Sequence, residues 1–440
     1  MSIYDVIIVG AGASGLFCSA SFPTKVKGLI LEKNSKPGAK LLLTGAGQCN
    51  LTHSGDIKGF LPKYGQNGRL IRTTLYQFNN LALKEFFESR GLPLLTREDG
   101  KVFPSSLRSE DVLKLLLHHS EKKGFRLLCD AEVTEIQYSP RTLLYTVITG
   151  NTRSQTKNLV IAAGGRSYPQ TGSDGSILNV LKSFEETRNA ELQVVPMRPS
   201  LAPVYVQEYP YALLSGLSLS TTGITIHMRG STETNKGVPY LKKREIKTTG
   251  SLLFTHRGFS GPVILDHSRY VQPGDTMIFN YLPGVPPLEV EKRLKLRLVK
   301  NQKHFESVLY EYLNFEASYY NASFSRRFVR ILCERCGVNS VLKSASIPAD
   351  QLREIVHLLT EDRFSVSGVA GYDQAMSTVG GISLEEIDPK TMECKKLPGL
   401  YFIGEILDVD GDTGGYNLQF AFSSAYAAGK NIDKKCAGSF

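Results

Sequence analysis

The 440-residue sequence has no apolar stretch approaching the ~20 residues of a membrane-spanning helix. It has no basic segment ahead of its first apolar run. That run therefore reads as a core strand rather than an export signal, and a cytoplasmic location with no membrane partner is expected. It also lacks a cysteine framework. The seven cysteines, Cys18, Cys49, Cys129, Cys333, Cys336, Cys394 and Cys436, are odd in number and irregularly spaced, which implies reduced thiols. Cys333 and Cys336 form a C-x-x-C in an amphipathic helical pattern. No second Cys or His pair lies at ligand spacing, so no metal is expected. Net charge is +10, yet the basic residues are scattered. The densest run, Lys236 to Lys247, reads as a solvated loop or edge strand. No aromatic-interleaved basic platform is visible, so a small molecule rather than nucleic acid is the expected partner. Repeats and low-complexity segments are absent, and nothing in the sequence sets an oligomeric state.

What is present is a globular composition, 41% hydrophobic with a mean hydropathy of −0.14, and a length that implies two or three domains. The chain opens on Tyr4-Asp5-Val6-Ile7-Ile8-Val9 and runs directly into Gly10-Ala11-Gly12-Ala13-Ser14-Gly15. Leu29-Ile30-Leu31-Glu32 follows as a second apolar run ending in an acid. This is the order of a dinucleotide-binding βαβ unit. Gly10 permits the turn out of the strand, Gly12 admits a pyrophosphate, and Gly15 lets the helix pack on the strand. Glu32 suits a ribose diol and repels a 2′-phosphate, so the ligand carries a plain ADP moiety, as in FAD or NAD.

Periodicity divides the rest. Residues 1–195 read as α/β. From 196 to 287, period-two runs such as Gly223-Ile-Thr-Ile-His-Met between glycines and prolines predict an inserted, mostly antiparallel β domain. From 288 to 363 the period is helical, with Val290, Leu294 and Leu298 on one face. From 364 to 440 strand and glycine return, and a small-residue helix closes the chain from Leu418. The expected architecture is a Rossmann-like FAD-binding domain (1–195 with 364–440), an inserted β-barrel-like domain (196–287) and a small helical subdomain (288–363).

Three clusters favour FAD. Lys40 to Asn50 contains Thr44-Gly45-Ala46-Gly47-Gln48-Cys49-Asn50, whose glycines let backbone approach a flat ring. Leu159 to Ala162 runs into Gly164 and Gly165, followed by Thr171-Gly172-Ser173. Gly404-Glu405 ends a strand, followed by Asp408, Asp410, Asp412 and Gly414-Gly415-Tyr416-Asn417-Leu418. A carboxylate there suits ribityl hydroxyls, and a positive helix start stabilises reduced flavin. The three acids read as a solvated loop.

These motifs, with Phe254-Thr-His-Arg-Gly-Phe-Ser-Gly-Pro262, Gly380-Gly381-Ile382 and the segment 397–429, resemble the aminoacetone oxidase and 3-dehydro-bile acid Δ4,6-reductase family of NAD(P)/FAD-dependent flavoproteins. The resemblance covers nearly the whole chain and is more distant to fumarate-reductase-type flavoproteins. It implies that Ala13, Ser14, Glu32, Lys33 and Lys40 meet the ADP and pyrophosphate of FAD, and Val133 the adenine by its backbone. It further implies that Gly47 and Asn50 lie beside the flavin, and that Gly404, Glu405, Asn417 and Leu418 contact the ribityl chain and ring. Gln48 stands where the family carries Arg, Ala163 where it carries Thr, and Asp174-Gly175-Ser176 where it carries Gly-Asp-Gly. These departures bear on flavin tuning and reductant access.

The expected activity is FAD-dependent hydride transfer through N5 on a small organic substrate, with NAD(P)H as a transient reductant, since no second G-x-G-x-x-G is present. A flavin amine oxidase using O₂ and a tRNA-modifying flavoprotein are the alternatives. Catalytic residues are weakly specified. His256 and Arg257 are the candidates.

Overall fold

The computed structural model describes residues 2–150, 152–188, 191–229, 245–299, 301–319 and 323–438. Most of the Lys236–Lys247 run lies outside these. The chain forms two compact units, Met1–Ser200 with Tyr372–Phe440, and Leu201–Gly371.

In the first unit, Val6, Ile7, Ile8 and Val9 are apolar on both faces and all buried, as a central strand of a parallel sheet requires. This strand, β1 (Ser2–Val9), pairs in parallel with β2 (Gly28–Leu31) through Val6↔Gly28 to Val9↔Leu31. The strand Phe125–Leu128 extends the sheet beyond β2. On the other side of β1 lies one long strand, Thr152–Ile161. Its first half pairs with the antiparallel strand Leu144–Thr149. Its second half pairs in parallel with Leu400–Phe402, through Leu400↔Leu159 to Phe402↔Ile161. Both ends of the chain thus enter one sheet. Helix α1 (Ala13–Ala20) follows β1, and the C-terminal helix Tyr416–Ala437 packs against it. Small residues allow that approach: Ala425, Ala427 and Ala428 are buried. A Cβ on Gly429 would lie 3.4 Å from the Cys18 carbonyl.

The second unit is a closed barrel. Its strands run in the order Val204–Val206, Gly258–Ser260, Glu245–Phe254, Ser218–His227, Thr276–Asn280 and Asp362–Val369. The alternation read from the sequence sends Ile224 and Ile226 inward. Among the described residues four α-helices stand between the last two strands: Pro287–Leu298, Phe305–Ser318, Arg326–Arg335 and Ala349–Glu361.

The boundaries differ from those expected. Asp362–Val369 closes the barrel onto Val204–Val206, so the β unit continues past 364 to Gly371. The helices form no separate core. Leu294, Leu309, Leu332 and Ile355 belong to the same apolar cluster as Phe254, Phe259 and Phe279. A change of periodicity marks a change of element, and the shared core runs across it. One buried ion pair fastens helix to barrel. Asp362 is fully buried and accepts from both Arg335 Nη atoms at 2.9 Å and from the Tyr281 hydroxyl at 2.9 Å. The Tyr211 hydroxyl also donates to it. The C-x-x-C lies at the end of the Arg326–Arg335 helix, and burial pushes both thiols up to about 12.

Candidate dinucleotide-binding site

The turn after β1 uses its three glycines differently. Gly10 has φ +105°, and a Cβ there would fall 2.5 Å from the Ala162 carbonyl oxygen. A Cβ on Gly15 would fall 2.0 Å from the Gly10 oxygen. Both are closed by their own fold. At Gly12 a Cβ would meet nothing within 4 Å, so the space above the start of α1 is open. Gly12 caps α1 without a side-chain hydrogen bond, which leaves first-turn amides for an anion.

Glu32, at the end of β2, is buried and doubly held. Its Oε2 accepts from the Ala11 N–H at 2.8 Å, and Oε1 from the Asn34 N–H at 2.9 Å. It therefore braces the glycine turn, and each oxygen retains a lone pair. Beyond it, Lys33 pairs with Asp174 at 2.7 Å. Burial works against the Asp174 carboxylate, but the Lys33 and Ser176 hydrogen bonds outweigh it and hold the carboxyl below its ordinary range.

A cavity of about 200 Å³ runs from this turn to the start of the C-terminal helix. Its lining includes Gly10, Gly12, Ala13, Ser14, Glu32, Lys33, Lys40, Val133, Gly164, Glu405, Asn417 and Leu418. Twelve positions from five separated stretches are thus gathered in one place. Four other expected positions do not line it. Gly15 serves packing. Gly404, at φ +72°, lies behind Ser14, whose Oγ would be 2.6 Å from a Cβ, and its N–H donates to Ser424. Gly47 sits in a turn with Gly45, Ala46 and Cys49 at positive φ, and only Thr44 of that loop reaches the lining. Asn50 braces the C-terminal segment: with its amide oriented to satisfy both ends, its oxygen accepts from the Gly415 N–H at 3.1 Å. His256 and Arg257 are exposed in the turn between two barrel strands, and the cavity lining comes entirely from the first unit.

At mid-cavity, Glu405 is held by protein donors. Its Oε1 accepts from Ser167 Oγ at 2.9 Å and the Thr378 N–H at 2.8 Å, and Oε2 accepts from Lys40 Nζ. Lys40 also donates to Ser167. An ammonium has three N–H donors, so one remains for a ligand. At the far end the Asn417 side chain clamps the Gly411 backbone, accepting its N–H and donating to its C=O, each at 2.8 Å. The acids expected in a solvated loop are instead individually engaged. Asp408 accepts from the Gly380 N–H at 2.9 Å, Asp410 from Ser200 Oγ at 2.6 Å, and Asp412 pairs with Lys63 at 3.4 Å. Burial raises the Asp408 carboxyl above its usual range.

One site residue has no partner. Ser173 Oγ is buried, lines the cavity and makes no hydrogen bond. The Thr171-Gly172-Ser173 run signalled it. Met376 and Ser377, also in the lining, carry no such signal, because they merely lead into the strand Ser377–Ile382. An open glycine cradle, a braced carboxylate at the end of β2, a spare lysine donor and an unpaired buried hydroxyl fit an ADP-bearing cofactor such as FAD.

Residues 4–431 match the family described as HI0933-like protein Rossmann domain. The chain belongs to this family. It is 30% identical over 443 residues to the ribosomal RNA dihydrouridine synthase of Haemophilus influenzae, covering 99% of this chain and all of that protein. It is 30% identical over 434 residues to the Escherichia coli protein of the same name, with 98% of each chain covered. The 3-dehydro-bile acid delta(4,6)-reductase of Clostridium scindens is 26% identical over 435 residues, covering 96% of this chain and 97% of that one. The chain is an FAD-dependent oxidoreductase of this family. Among the described residues no helix is long and apolar enough to cross a membrane, and no group of three His, Cys, Asp or Glu is placed to hold a metal ion.

Proposed function

We propose that this protein reduces a carbon–carbon double bond conjugated with a carbonyl, and that its substrate is a uracil base in RNA. The observation that carries this reading is the full-length 30% identity to two proteins named ribosomal RNA dihydrouridine synthase. The more distant relative named for a bile acid Δ4,6-reduction supports the reaction class. A dienone and a uracil share an alkene conjugated with a carbonyl. The net charge of +10 suits a polyanionic substrate.

Reduced FAD supplies one hydride when bound, with NAD(P)H as the source of its electrons. The overall change would be the addition of two hydrogens across the C5=C6 bond of the base, one as hydride and one as a proton taken from solvent. The chain's part is to hold and orient. The turn at Gly12 to Ser14 and the start of α1 take the pyrophosphate. Glu32 accepts from the adenosine ribose with the lone pairs that Ala11 and Asn34 leave free. Lys40, neutralised by Glu405, offers its remaining N–H.

The test is incubation of the FAD-loaded protein with NADH or NADPH and deproteinised ribosomal RNA, followed by nucleoside mass spectrometry. A uridine heavier by two hydrogens, dependent on reductant, is expected. An unchanged RNA, with loss of the dienone absorbance of a 3-keto-4,6-diene steroid in a parallel assay, would transfer the reading to the steroid-type substrate.

A further inference from the structure

We infer that the outward face of the helix Phe305–Ser318, with Tyr319 at its C-cap, binds single-stranded RNA. The inference rests on the RNA reading above and adds where the polymer is held. Phe315 and Tyr319 are 46% and 68% exposed, and their rings meet edge to face at 5.6 Å. Two exposed aromatic rings on one helix face cost hydration and form no part of the core. Arginines reach this helix from its neighbours on both sides. The Arg297 guanidinium, from Pro287–Leu298, lies 4.4 Å from the centre of the Phe315 ring, and that of Arg326, from Arg326–Arg335, 4.3 Å from Tyr310.

The charge balance leaves this face positive. All three carboxylates of the helix are already paired: Glu306 with Arg330 at 3.7 Å, Glu311 with Lys303 at 2.6 Å and Glu316 with Arg293 at 2.9 Å. Among the described residues neither Arg297 nor Arg326 has a carboxylate partner. Lys and Arg outnumber Asp and Glu by 21 to 15 in residues 201–371, against 31 to 27 in the rest of the chain. Aromatic faces for bases beside unpaired guanidinium groups for phosphates are what single-stranded nucleic acid requires. Exposed leucines on the adjoining helix, Leu288 and Leu296, make a second copy of the chain the competing occupant, but they leave the unpaired arginines unexplained.

The experiment uses full-length FAD-loaded protein and a fluorescein-labelled, uridine-containing single-stranded RNA, read by anisotropy over a salt series. Phe315→Ala with Tyr319→Ala should weaken binding about tenfold while flavin absorbance and melting temperature are kept. Phe315→Leu, which keeps apolar bulk and removes only the ring, guards against misfolding and should show part of that loss. Arg297→Gln and Arg326→Gln should each lower the salt slope by about 0.7. Wild-type binding with unchanged affinity in the aromatic variants overturns this surface and leaves the RNA reading intact. Absence of wild-type binding overturns the RNA reading itself. A change in sedimentation instead of RNA affinity assigns the face to a second copy.

Discussion

The nucleotide unit and the barrel unit both bury charge, and they dispose of it in opposite ways. In the barrel unit Asp362 has spent everything: two guanidinium nitrogens and two phenol hydroxyls converge on one carboxylate with no solvent exposure. That arrangement is complete without a ligand, and the unpaired charges of this unit lie on its surface. Along the cavity of the nucleotide unit the polar groups are only partly spent. Glu32 has bonded two main-chain N–H groups, Lys40 retains a donor, and Ser173 has no partner. A polar group left over inside a cavity is costly unless something fills it. The difference separates a network that fastens a fold from one that keeps donors and acceptors for a ligand.

The sharpest break is at Asp362. Asp362→Ala leaves Arg335 without its carboxylate and is expected to cost about 3–5 kcal/mol, read as a lower denaturant midpoint. A loss below about 1 kcal/mol would mean that water reaches the arginine and that the network does not fasten the barrel.

The glycine turn gives the next largest effect and tests the contrast within one motif. Gly15→Ala drives a methyl into the Gly10 carbonyl and should destabilise the fold by several kcal/mol, on the order of other overpacking or backbone clashes. Gly12→Ala meets only open space, so the melting temperature of the FAD-free protein should hold while FAD affinity falls. Equal loss of stability in both variants would remove the cradle from the argument.

Glu32→Ala should weaken FAD binding by about 1.5–3 kcal/mol, the range for a hydrogen bond to a charged group. It should also lower the stability of the FAD-free protein, because the Ala11 N–H loses its acceptor. Glu32→Gln separates the two roles. Its amide oxygen can still accept from Ala11 although its NH2 cannot accept from Asn34, so part of the brace should be kept and the FAD loss should dominate. Fluorescence titration with FAD and thermal melts read both.

Ser173→Ala should have the smallest effect, a loss of about 0.5–1.5 kcal/mol in FAD binding with the FAD-free protein unchanged or slightly stabilised, since the variant removes an unpaired hydroxyl. Unchanged FAD affinity would show that the hydroxyl faces no cofactor group.

Most of the nucleotide unit was legible in the sequence because its signals are local. A strand, a glycine turn, a helix and a second strand ending in an acid fall within the first 32 residues, and each residue acts on its near neighbours. The charge triplet Asp408, Asp410 and Asp412 misled for the converse reason. Period-two acids look solvated, yet their partners Gly380, Ser200 and Lys63 come from distant parts of the chain. The domain limit near 364 misled similarly, since the strand that closes the barrel pairs with one about 160 residues earlier.

The sequence by itself determined the parallel βαβ core, the identity of its glycines, the acid after β2 and the amphipathic faces of the helices. These depend on periodicity, backbone sterics and spacing, all of which are written along the chain. Only the tertiary structure decided that Glu405 is held by Lys40, Ser167 and Thr378, that Asn417 clamps Gly411, that Ser173 stands alone in a cavity, and that arginines from two neighbouring helices lie over Phe315 and Tyr310 of a third. A basic and aromatic surface assembled from three helices has no contiguous signature, and whether a buried polar group is satisfied depends on partners that folding alone brings within hydrogen-bond distance.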